Sequence, residues 1–404
     1  MPSLSIVIPT RDRGASLMET LAACRRLGEG QELEFVVVDL GSRDDTPARL
    51  EALAAEEPRL TWRRLEDTTS PAAARNLGAA LARHEVVLFL DDALRPADSG
   101  FFKAHAEVHA RWPSPGTLVL GRVGWAERPT LGSELLEPLA PEAVGGDLTP
   151  YGWHDWRAAR GLNLSVKKSL TADWATEGFD AAFAPDTGGP ALDGVELAFR
   201  RAAAGADVRL FHAPTALAVD AAGWNLEGLM RRHADAAPLA RALVARHGAE
   251  ILDGLGLARL ESSLAGTAGS GGDAGAVADY LAMIEGVKSW SRLYDGHAPG
   301  DGEAMKAALS LAFAEGWILS APAGANLAAG CRCALESFRQ RVNRAVQSAA
   351  TGLPAQGGAV EGQGAAAPAW HPPRRSAVAR LRAWARQKPA LVRVYLWLRA
   401  VQGR

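Results

Sequence analysis

Short apolar runs alternate with helical patterns along the first part of the chain. Residues 4–8, 35–39 and 86–90 are almost entirely apolar and rich in β-branched side chains, and residues 59–65 form a weaker run. Runs this short are typical of strands that are covered on both faces of a sheet. The pattern therefore predicts a buried sheet.

Helical periodicity fills the intervals between these runs. The spacing predicts helices over residues 15–27, 47–56 and 71–83. Thr46 before Pro47 is typical of an N-cap followed by proline at the first helical position. Strands that alternate with helices form parallel sheets through right-handed crossovers. We expect an α/β fold with a Rossmann-like, mostly parallel sheet flanked by helices.

Composition and charge narrow the classes of function. The 404 residues carry a formal net charge of -2, which gives no overall electrostatic reason to bind nucleic acid. The three cysteines form no disulfide framework, and no charged and then apolar signal segment opens the sequence. A run of about 18 apolar residues, as a membrane span requires, is also missing from the sequence. We expect a cytoplasmic location.

Carboxylates follow two of the predicted strands. Asp39 ends the run at 35–39, and Asp91 and Asp92 follow the run at 86–90. In a parallel sheet these residues lie at the same edge, where ligands bind. Neighbouring carboxylates repel each other unless a positive charge lies among them. Hard oxygen ligands suit Mg²⁺ or Mn²⁺, which would in turn hold a diphosphate. The alternative is that these aspartates cap the helices that follow.

Six motifs in order resemble those of the family 2 glycosyltransferases, which are inverting enzymes with a GT-A fold. They are SIVIPTRDR at 5–13, VVVDLGSRDDT at 36–46, AAARNLG at 72–78, FLDD at 89–92, GFD at 178–180, and DGVEL at 193–197 followed by Arg200. The resemblance covers roughly residues 1–245. It implies a GT-A-like domain that binds a nucleoside-diphosphate sugar.

The resemblance assigns roles on the donor side. The Asp39 position hydrogen-bonds the base, usually uracil, so we expect a UDP-linked donor. The Arg75 position reaches the nucleotide or its diphosphate, and the Asp91 position binds the ribose and helps the metal. The nucleotide-sugar-binding residues implied are Pro9, Thr10, Asp12, Asp39, Arg75 and Asp91.

The metal and the catalytic base depart from the family pattern. Mg²⁺ or Mn²⁺ would bind Asp92 and Asp91, together with Asp220 at a position where the family often has histidine. Ala93 occupies the position where the commonest form of the family has a further carboxylate. Gly194 occupies the usual position of the general base. The resemblance therefore implies Asp193 as the base, with Glu196 as the second candidate.

These departures leave alternatives open. The domain could bind a nucleotide sugar or glycan as a scaffold without catalysis. A nucleotidyltransferase would use a similar sheet edge, but it would normally carry a glycine-rich basic loop after the first strand. Residues 9–14 are short and contain one glycine.

Aromatic and polar residues between the metal and base motifs predict the acceptor side. Tryptophans near sugar sites often stack on pyranose faces, although ordinary core positions explain them equally well. The candidates are Trp153, Trp156, Asn163 and Asp180. His105 and His109 are four residues apart, which would suit zinc or a packed pair of histidines.

The remainder of the chain predicts three further segments. Residues 246–349 form a helical extension, with helices expected at 276–292, 303–315 and 324–348, and residues 350–373 form a flexible linker. The tail, 374–404, is basic, contains tryptophans and lacks acids, which suits an anionic membrane surface or the protein's own acidic surface better than nucleic acid. A glycan or lipid-linked acceptor would agree with peripheral attachment at the inner face of the cell membrane.

Overall fold

The computed structural model describes residues 2–66, 70–125, 148–159, 163–184, 192–221, 226–254, 257–265, 274–294 and 302–351. The linker beyond residue 351 and the basic tail lie outside the described residues. None of the described helices is long and apolar enough to cross a bilayer.

A sheet forms the centre of the N-terminal half. Its strands are β1 (Leu4–Thr10), β2 (Leu33–Asp39), β3 (Leu60–Arg64), β4 (Val86–Phe89), β5 (Leu94–Pro96), β6 (Thr117–Trp125), β7 (Trp153–His154), β8 (Leu164–Lys167) and β9 (Arg209–Asp220). Their order is β3-β2-β1-β4-β8-β6-β9-β5, and β7 pairs with β9.

The sheet has a parallel half and a mixed half. Strand β1 is parallel to β2 and β4, and β2 is parallel to β3. Strand β8 runs antiparallel between β4 and β6, and β6 is parallel to β9. Strands β5 and β7 pair with β9 in the antiparallel sense. The expected α/β fold class, with a sheet flanked by helices, is confirmed. Four of the eight pairings among the described strands are antiparallel, so the sheet is less parallel than the sequence predicted.

Helices cover both faces of the sheet and build the extension. They are α1 (Gly14–Leu27), α2 (Thr46–Glu56), α3 (Pro71–Leu81), α4 (Gly100–Arg111), α5 (Trp174–Glu177), α6 (Asp193–Ala203), α7 (Leu226–His247), α8 (Ala249–Gly254), α9 (Ala258–Leu264), α10 (Ala274–Tyr294), α11 (Gly302–Leu319) and α12 (Leu327–Thr351). Helices α10, α11 and α12 form close to the positions predicted at 276–292, 303–315 and 324–348.

Helix α3 lies unusually close to β1. A Cβ atom at Gly78 would come within 2.2 Å of Val7 Cγ1, so glycine permits this approach. The helix begins with Pro71 after the N-cap Ser70, whose side chain accepts a hydrogen bond from the Ala73 N–H. The close packing places Arg75 at the carboxyl edge of the sheet.

Helix α7 belongs to two cores. Its residues Met230, Ala237 and Ala240 pack in the core of the extension, together with the fully buried Trp317. Leu243 of the same helix packs in a core beneath the sheet. The predicted domain boundary at 245/246 therefore falls inside a helix that joins both parts.

Candidate functional site

The ends of three parallel strands define one edge of the sheet. Thr10 lies beside Asp39 in the register of β1 and β2. The Leu90 N–H donates to the Val7 carbonyl at 3.0 Å, which continues the pairing of β4 with β1. Thr10, Asp39 and the Asp91–Asp92 pair consequently meet at this edge, as the strand pattern predicted.

The Asp92 carboxylate is buried and held on both oxygens. Thr10 Oγ1 donates to Oδ2 at 2.8 Å, and Arg13 Nη1 donates to Oδ1 at 2.7 Å. Ser16 and Thr20 of α1 donate to the Asp92 backbone carbonyl. Burial and the adjacent Asp91 raise the pKa of Asp92, while Arg13 and Thr10 oppose this rise.

Asp220 reaches the same edge through β5. Leu94 lies opposite Asp220 in the antiparallel pair, and the Ala221 N–H donates to the Ala93 carbonyl at 3.1 Å. Burial lowers the pKa of Arg232 in α7, and the charges of Asp91 and Asp220 oppose this fall. We call Asp91, Asp92 and Asp220 the carboxylate cluster.

The carboxylate cluster has the donor atoms of a divalent-cation site but not a converging arrangement of them. Its three carboxylates offer the hard oxygen ligands that Mg²⁺ and Mn²⁺ prefer, and Arg13 already contacts two of them, Asp91 and Asp92. Among the described residues, however, no three His, Cys, Asp or Glu side chains converge around one point. Arg13 occupies the Asp92 oxygen that a metal would use.

Asp39 offers a hydrogen-bond acceptor at this edge. Its Oδ1 accepts from the Ser42 N–H at 3.1 Å. Its Oδ2 is buried, has no hydrogen-bond partner among the described residues, and lies 3.8 Å from Arg64 Nε. A buried carboxylate oxygen without a donor fits an incoming N–H group.

The loops after β1 and β2 lock together beside Asp39. Asp12 adopts a φ of 52°, a left-handed conformation, and its Oδ1 accepts from the Arg43 N–H at 2.6 Å. The Asp12 N–H donates to Ser42 Oγ at 2.8 Å. Asp12, predicted to bind the donor, thus positions the loop that carries the Asp39 contacts. Pro9, the residue before Thr10, lies beside Val38 in β2.

Arg75 and Asp193 form a buried ion pair. Arg75 Nη2 donates to Asp193 Oδ2, and both side chains are about 5% exposed or less. The Asp193 Oδ1 accepts from the Gly194 N–H at 2.9 Å. Burial raises the pKa of Asp193, and Arg75 opposes that rise. The predicted donor-binding arginine and the predicted base therefore hold each other.

Glu196 points into the protein and is fully engaged. Arg200 Nε donates to its Oε1 at 2.9 Å, and His247 Nε2 lies 3.2 Å from the same oxygen. The side chain is 1% exposed. These contacts tie α6 to α7 and engage the carboxylate that was predicted as the second candidate base, so they speak against that role for Glu196.

Trp153 lies at the wrong end of the sheet for the predicted acceptor role. It pairs with Phe211 near the start of β9, whereas Asp220 ends that strand nine residues later. Strand β9 is bulged between these positions, and its partner β6 covers the same interval in only six residues, from Val119 to Trp125. At about 3.3 Å per residue, the two positions are therefore on the order of 20 Å apart. Trp153 packs instead on Trp112, with ring centroids 5.0 Å apart.

Trp156 and Asn163 are interior residues, which corrects two further acceptor-side predictions. Trp156 packs on Phe199 of α6 with ring centroids 4.9 Å apart. Asn163 is fully buried, and its Nδ2 donates to the carbonyls of Arg122 and Ala216. Neither side chain is available to a sugar.

Asp180 has a local structural role. Its Oδ1 accepts from the Ala182 N–H, which caps a short 3₁₀ turn at Ala181–Phe183. Its Oδ2 pairs with Arg246 of α7. The acceptor prediction for Asp180 has no support in these contacts.

His105 and His109 form the packed pair that was the alternative to zinc. His105 lies 2.8 Å from Ser165 Oγ and 2.9 Å from Asn163 Oδ1, and His109 lies 2.9 Å from the same Ser165 oxygen. Burial lowers the pKa of His105 to about 4 and that of His109 to about 3. Both are neutral near pH 7.

The sequence interpretation missed the two cations of the edge, Arg13 and Arg232. Arg13 stands in the quoted SIVIPTRDR motif, directly after β1, so its place at the carboxyl edge was a usable signal. Arg232 had no such signal, because α7 reaches the cluster only through tertiary packing.

Comparisons with known proteins address the same region. Residues 5–108 match the family described as Glycosyl transferase family 2. This region carries the first four motifs and the edge from Thr10 to Asp92, so the resemblance to family 2 is confirmed there. No curated protein matches the chain.

Several solved structures are similar to the chain. S. aureus TarS 1-349 has 16% identity and a TM-score of 0.42, over 84% of this chain and 91% of that one. The mannosyltransferase PcManGT from Pyrobaculum calidifontis, in complex with GDP-Man and Mn²⁺, has 18% identity and a TM-score of 0.41, over 77% and 86%. GalNAc-T7 with UDP, GalNAc and Mn²⁺ has 16% identity and a TM-score of 0.39, over 55% and 43%.

Proposed function

We propose that this protein is an inverting glycosyltransferase that moves a sugar, of the hexose class, from a nucleoside-diphosphate donor to a hydroxyl of a glycan or lipid-linked acceptor. One observation carries the proposal. Thr10, Asp39 and the carboxylate cluster meet at the carboxyl edge of the sheet, and all but Asp220 lie within the region that matches family 2.

The donor nucleotide contacts Asp39 in this proposal. The imide N–H of uracil donates to an acceptor-only group, and Asp39 Oδ2 is an acceptor without a donor among the described residues. UDP-linked sugars are therefore the first donors to test. The same oxygen would also accept the ring N–H of guanine, so GDP-linked sugars come second.

The carboxylate cluster would hold the divalent cation, Mg²⁺ or Mn²⁺. When bound, that cation supplies Lewis-acid neutralisation of the leaving nucleoside diphosphate. Asp193 would accept the proton of the acceptor hydroxyl, which attacks the anomeric carbon opposite the leaving group. A single displacement inverts the configuration and needs no covalent intermediate on the protein.

A second candidate function rests on the buried state of the acids. Asp193 is paired with Arg75, and Glu196 is paired with Arg200 and His247. Gly194 supplies no carboxylate at the usual base position. A domain that binds a nucleotide sugar without turnover, as a scaffold, agrees with these contacts.

Calorimetric binding of UDP and GDP, with and without Mn²⁺, tests the proposal. Asp39→Ala is expected to weaken UDP binding at least about tenfold, the effect of losing one buried hydrogen bond to a ligand. Asp45→Ala is the matched control, because Asp45 is in the neighbouring loop and pairs with Arg49 on the surface. The affinity of this control variant for UDP should equal that of the wild type.

The outcomes separate the two candidates. Binding together with release of UDP from a sugar donor supports the transferase. Binding without turnover on any donor and acceptor supports the scaffold. If no nucleoside diphosphate binds the wild type, both are wrong.

A further inference from the structure

The side chain of Asn76 in α3 holds a backbone segment that lies 103 residues further along the chain. Its Oδ1 accepts from the Phe179 N–H at 2.7 Å, and its Nδ2 donates to the Phe179 carbonyl at 2.8 Å. A Cβ atom at Gly178 would come within 2.2 Å of Asn76 Oδ1, so glycine permits this approach. Asn76 therefore pairs with Phe179 as a neighbouring strand would, and it fixes segment 177–179 against α3.

The Phe179 ring lies beside the Arg75 guanidinium. The guanidinium carbon of Arg75 is 5.1 Å from the ring centroid, a distance at which a cation and an aromatic ring attract each other. Phe179 is buried and also meets Phe89 edge to face, with ring centroids 4.9 Å apart. The ring therefore forms a fixed side of the space that holds Arg75.

The Arg75 guanidinium is hydrogen-bonded unevenly. Its Nη2 donates to Asp193, whereas its Nε is buried and has no hydrogen-bond partner among the described residues. A guanidinium that is hydrogen-bonded at one end can tilt about that end unless packing prevents it. The Phe179 ring supplies such packing, so its position bears on the direction in which Arg75 meets Asp193.

Arg200 holds the same segment from the side of α6. Its Nη1 donates to the Glu177 carbonyl at 2.9 Å, and its Nη2 donates to the Gly178 carbonyl at 2.6 Å. Helix α6 begins with Asp193. Segment 177–179 therefore joins the helix that carries the predicted base to α3, the helix that carries the cation of the ion pair.

We propose that Asn76 is a positioning residue, which sets the contact between Arg75 and Asp193 by fixing the Phe179 ring beside the guanidinium. This role rests on the proposed function only for what Asp193 does in the reaction. Asn76 contacts no substrate in this account and transfers no proton. It acts on the acid through Phe179 and Arg75, because the strength of an ion pair depends on the separation and direction of its two groups.

Double-mutant cycles measured by urea unfolding test the proposal without a substrate. Arg75→Met and Asp193→Asn, alone and together, give the coupling between the two side chains in each background. In an Asn76→Ala background this coupling should fall to about half of its wild-type value or less, because the Phe179 ring is no longer held in place.

Two further backgrounds sharpen the comparison. Asn326→Ala is the matched control, since Asn326 Oδ1 also accepts from a backbone N–H, that of Ala329, but in the extension. The coupling in this background should equal the wild-type value. Phe179→Leu keeps apolar bulk and removes the aromatic face, so it should lower the coupling as Asn76→Ala does.

The unfolding cycles can overturn the proposal in two ways. One is an unchanged coupling in Asn76→Ala, or in Phe179→Leu if Asn76→Ala does not fold. The other is a wild-type protein in which Arg75 and Asp193 are not coupled, because there is then no contact to position.

The pH dependence of sugar transfer tests the link to the reaction. Burial raises the pKa of Asp193 and Arg75 opposes that rise, so a looser contact leaves the acid protonated to a higher pH. In Asn76→Ala the acid limb of kcat/KM should therefore move up by about 0.5–1 pH unit, and in Asn326→Ala it should stay in place. An acid limb that does not move although the coupling falls would also overturn the proposal. If no donor and acceptor give turnover, the proposed function is wrong, and the unfolding cycles still decide whether Asn76 positions the pair.

Discussion

Two buried histidines should make the stability of this protein fall steeply below neutral pH. His105 and His109 of α4 contact Ser165 of β8, and His105 also contacts Asn163. The Asn163 oxygen accepts only, so His105 Nε2 donates to it and His105 Nδ1 accepts from Ser165. Both rings are neutral in this network: His109 Nε2 donates to Ser165, and His109 Nδ1 is buried without a hydrogen-bond partner among the described residues.

The size of the effect follows from the pKa values. Burial lowers the pKa of His105 to about 4 and that of His109 to about 3, whereas an unfolded histidine has a pKa of about 6.5. Between these pKa values, the two histidines are protonated in the unfolded chain and neutral in the folded protein. The contribution of the two histidines to the free energy of unfolding is therefore fully present above about pH 6.5 and is lost as the pH falls toward their folded-state pKa values. At pH 5, which is about 1.5 units below the unfolded value, each histidine contributes a loss of about 2 kcal/mol and the pair about 4 kcal/mol.

Urea unfolding followed by tryptophan fluorescence at pH 7 and pH 5 measures this loss. His109→Gln keeps an amide near Ser165 and removes one titrating group, so its loss between the two pH values should be smaller by about 2 kcal/mol. Ser165→Ala keeps both buried histidines, and it should be less stable at both pH values with nearly the wild-type dependence. An unchanged pH dependence in His109→Gln would refute the reasoning, because the remaining titrating groups are common to both proteins.

Three further predictions concern packing, charge and the tail. Gly78→Ala should lower the free energy of unfolding by about 1–3 kcal/mol through its clash with β1, whereas Gly275→Ala, in open space on α10, should be neutral or stabilising in the same urea assay. Asp193→Asn should lower the free energy of unfolding by about 3–5 kcal/mol, because it leaves the buried Arg75 without its counter-ion. The double variant with Arg75→Met should lower it by less than Asp193→Asn alone, and an additive double-mutant cycle would contradict this. Removal of residues 374–404 should abolish co-sedimentation with anionic liposomes and leave neutral liposomes unaffected, and unchanged co-sedimentation would count against the membrane hypothesis for the tail.

Local sequence signals predicted the parallel half of the fold well. Strand β2 and helix α3 have strong apolar patterns and end signals, and both form where the spacing predicts. Since parallel strands place their carboxyl ends together, Asp39 and the Asp91–Asp92 pair could be assigned to one edge without a structure.

Non-local pairing explains what the sequence did not predict. Trp153 lies in β7, a two-residue strand whose position depends on pairing with the start of β9, and no local pattern encodes that partner. Asn163 and the two histidines are polar residues that become interior only because α4 packs on β8 and β9. The Arg13–Asp92 pair joins residues 79 positions apart, so neither residue signals the other.

Because α7 packs in two cores, it limits where homologous proteins could exchange segments. A chimera joined at residue 245 would divide a helix that contributes side chains to the core of the extension and to the core beneath the sheet. It would also separate Arg232 from the extension that holds its helix in place. Recombination between homologues should therefore succeed at residues 222–225, ahead of the helix, where the whole of α7 travels with the extension as one inherited module.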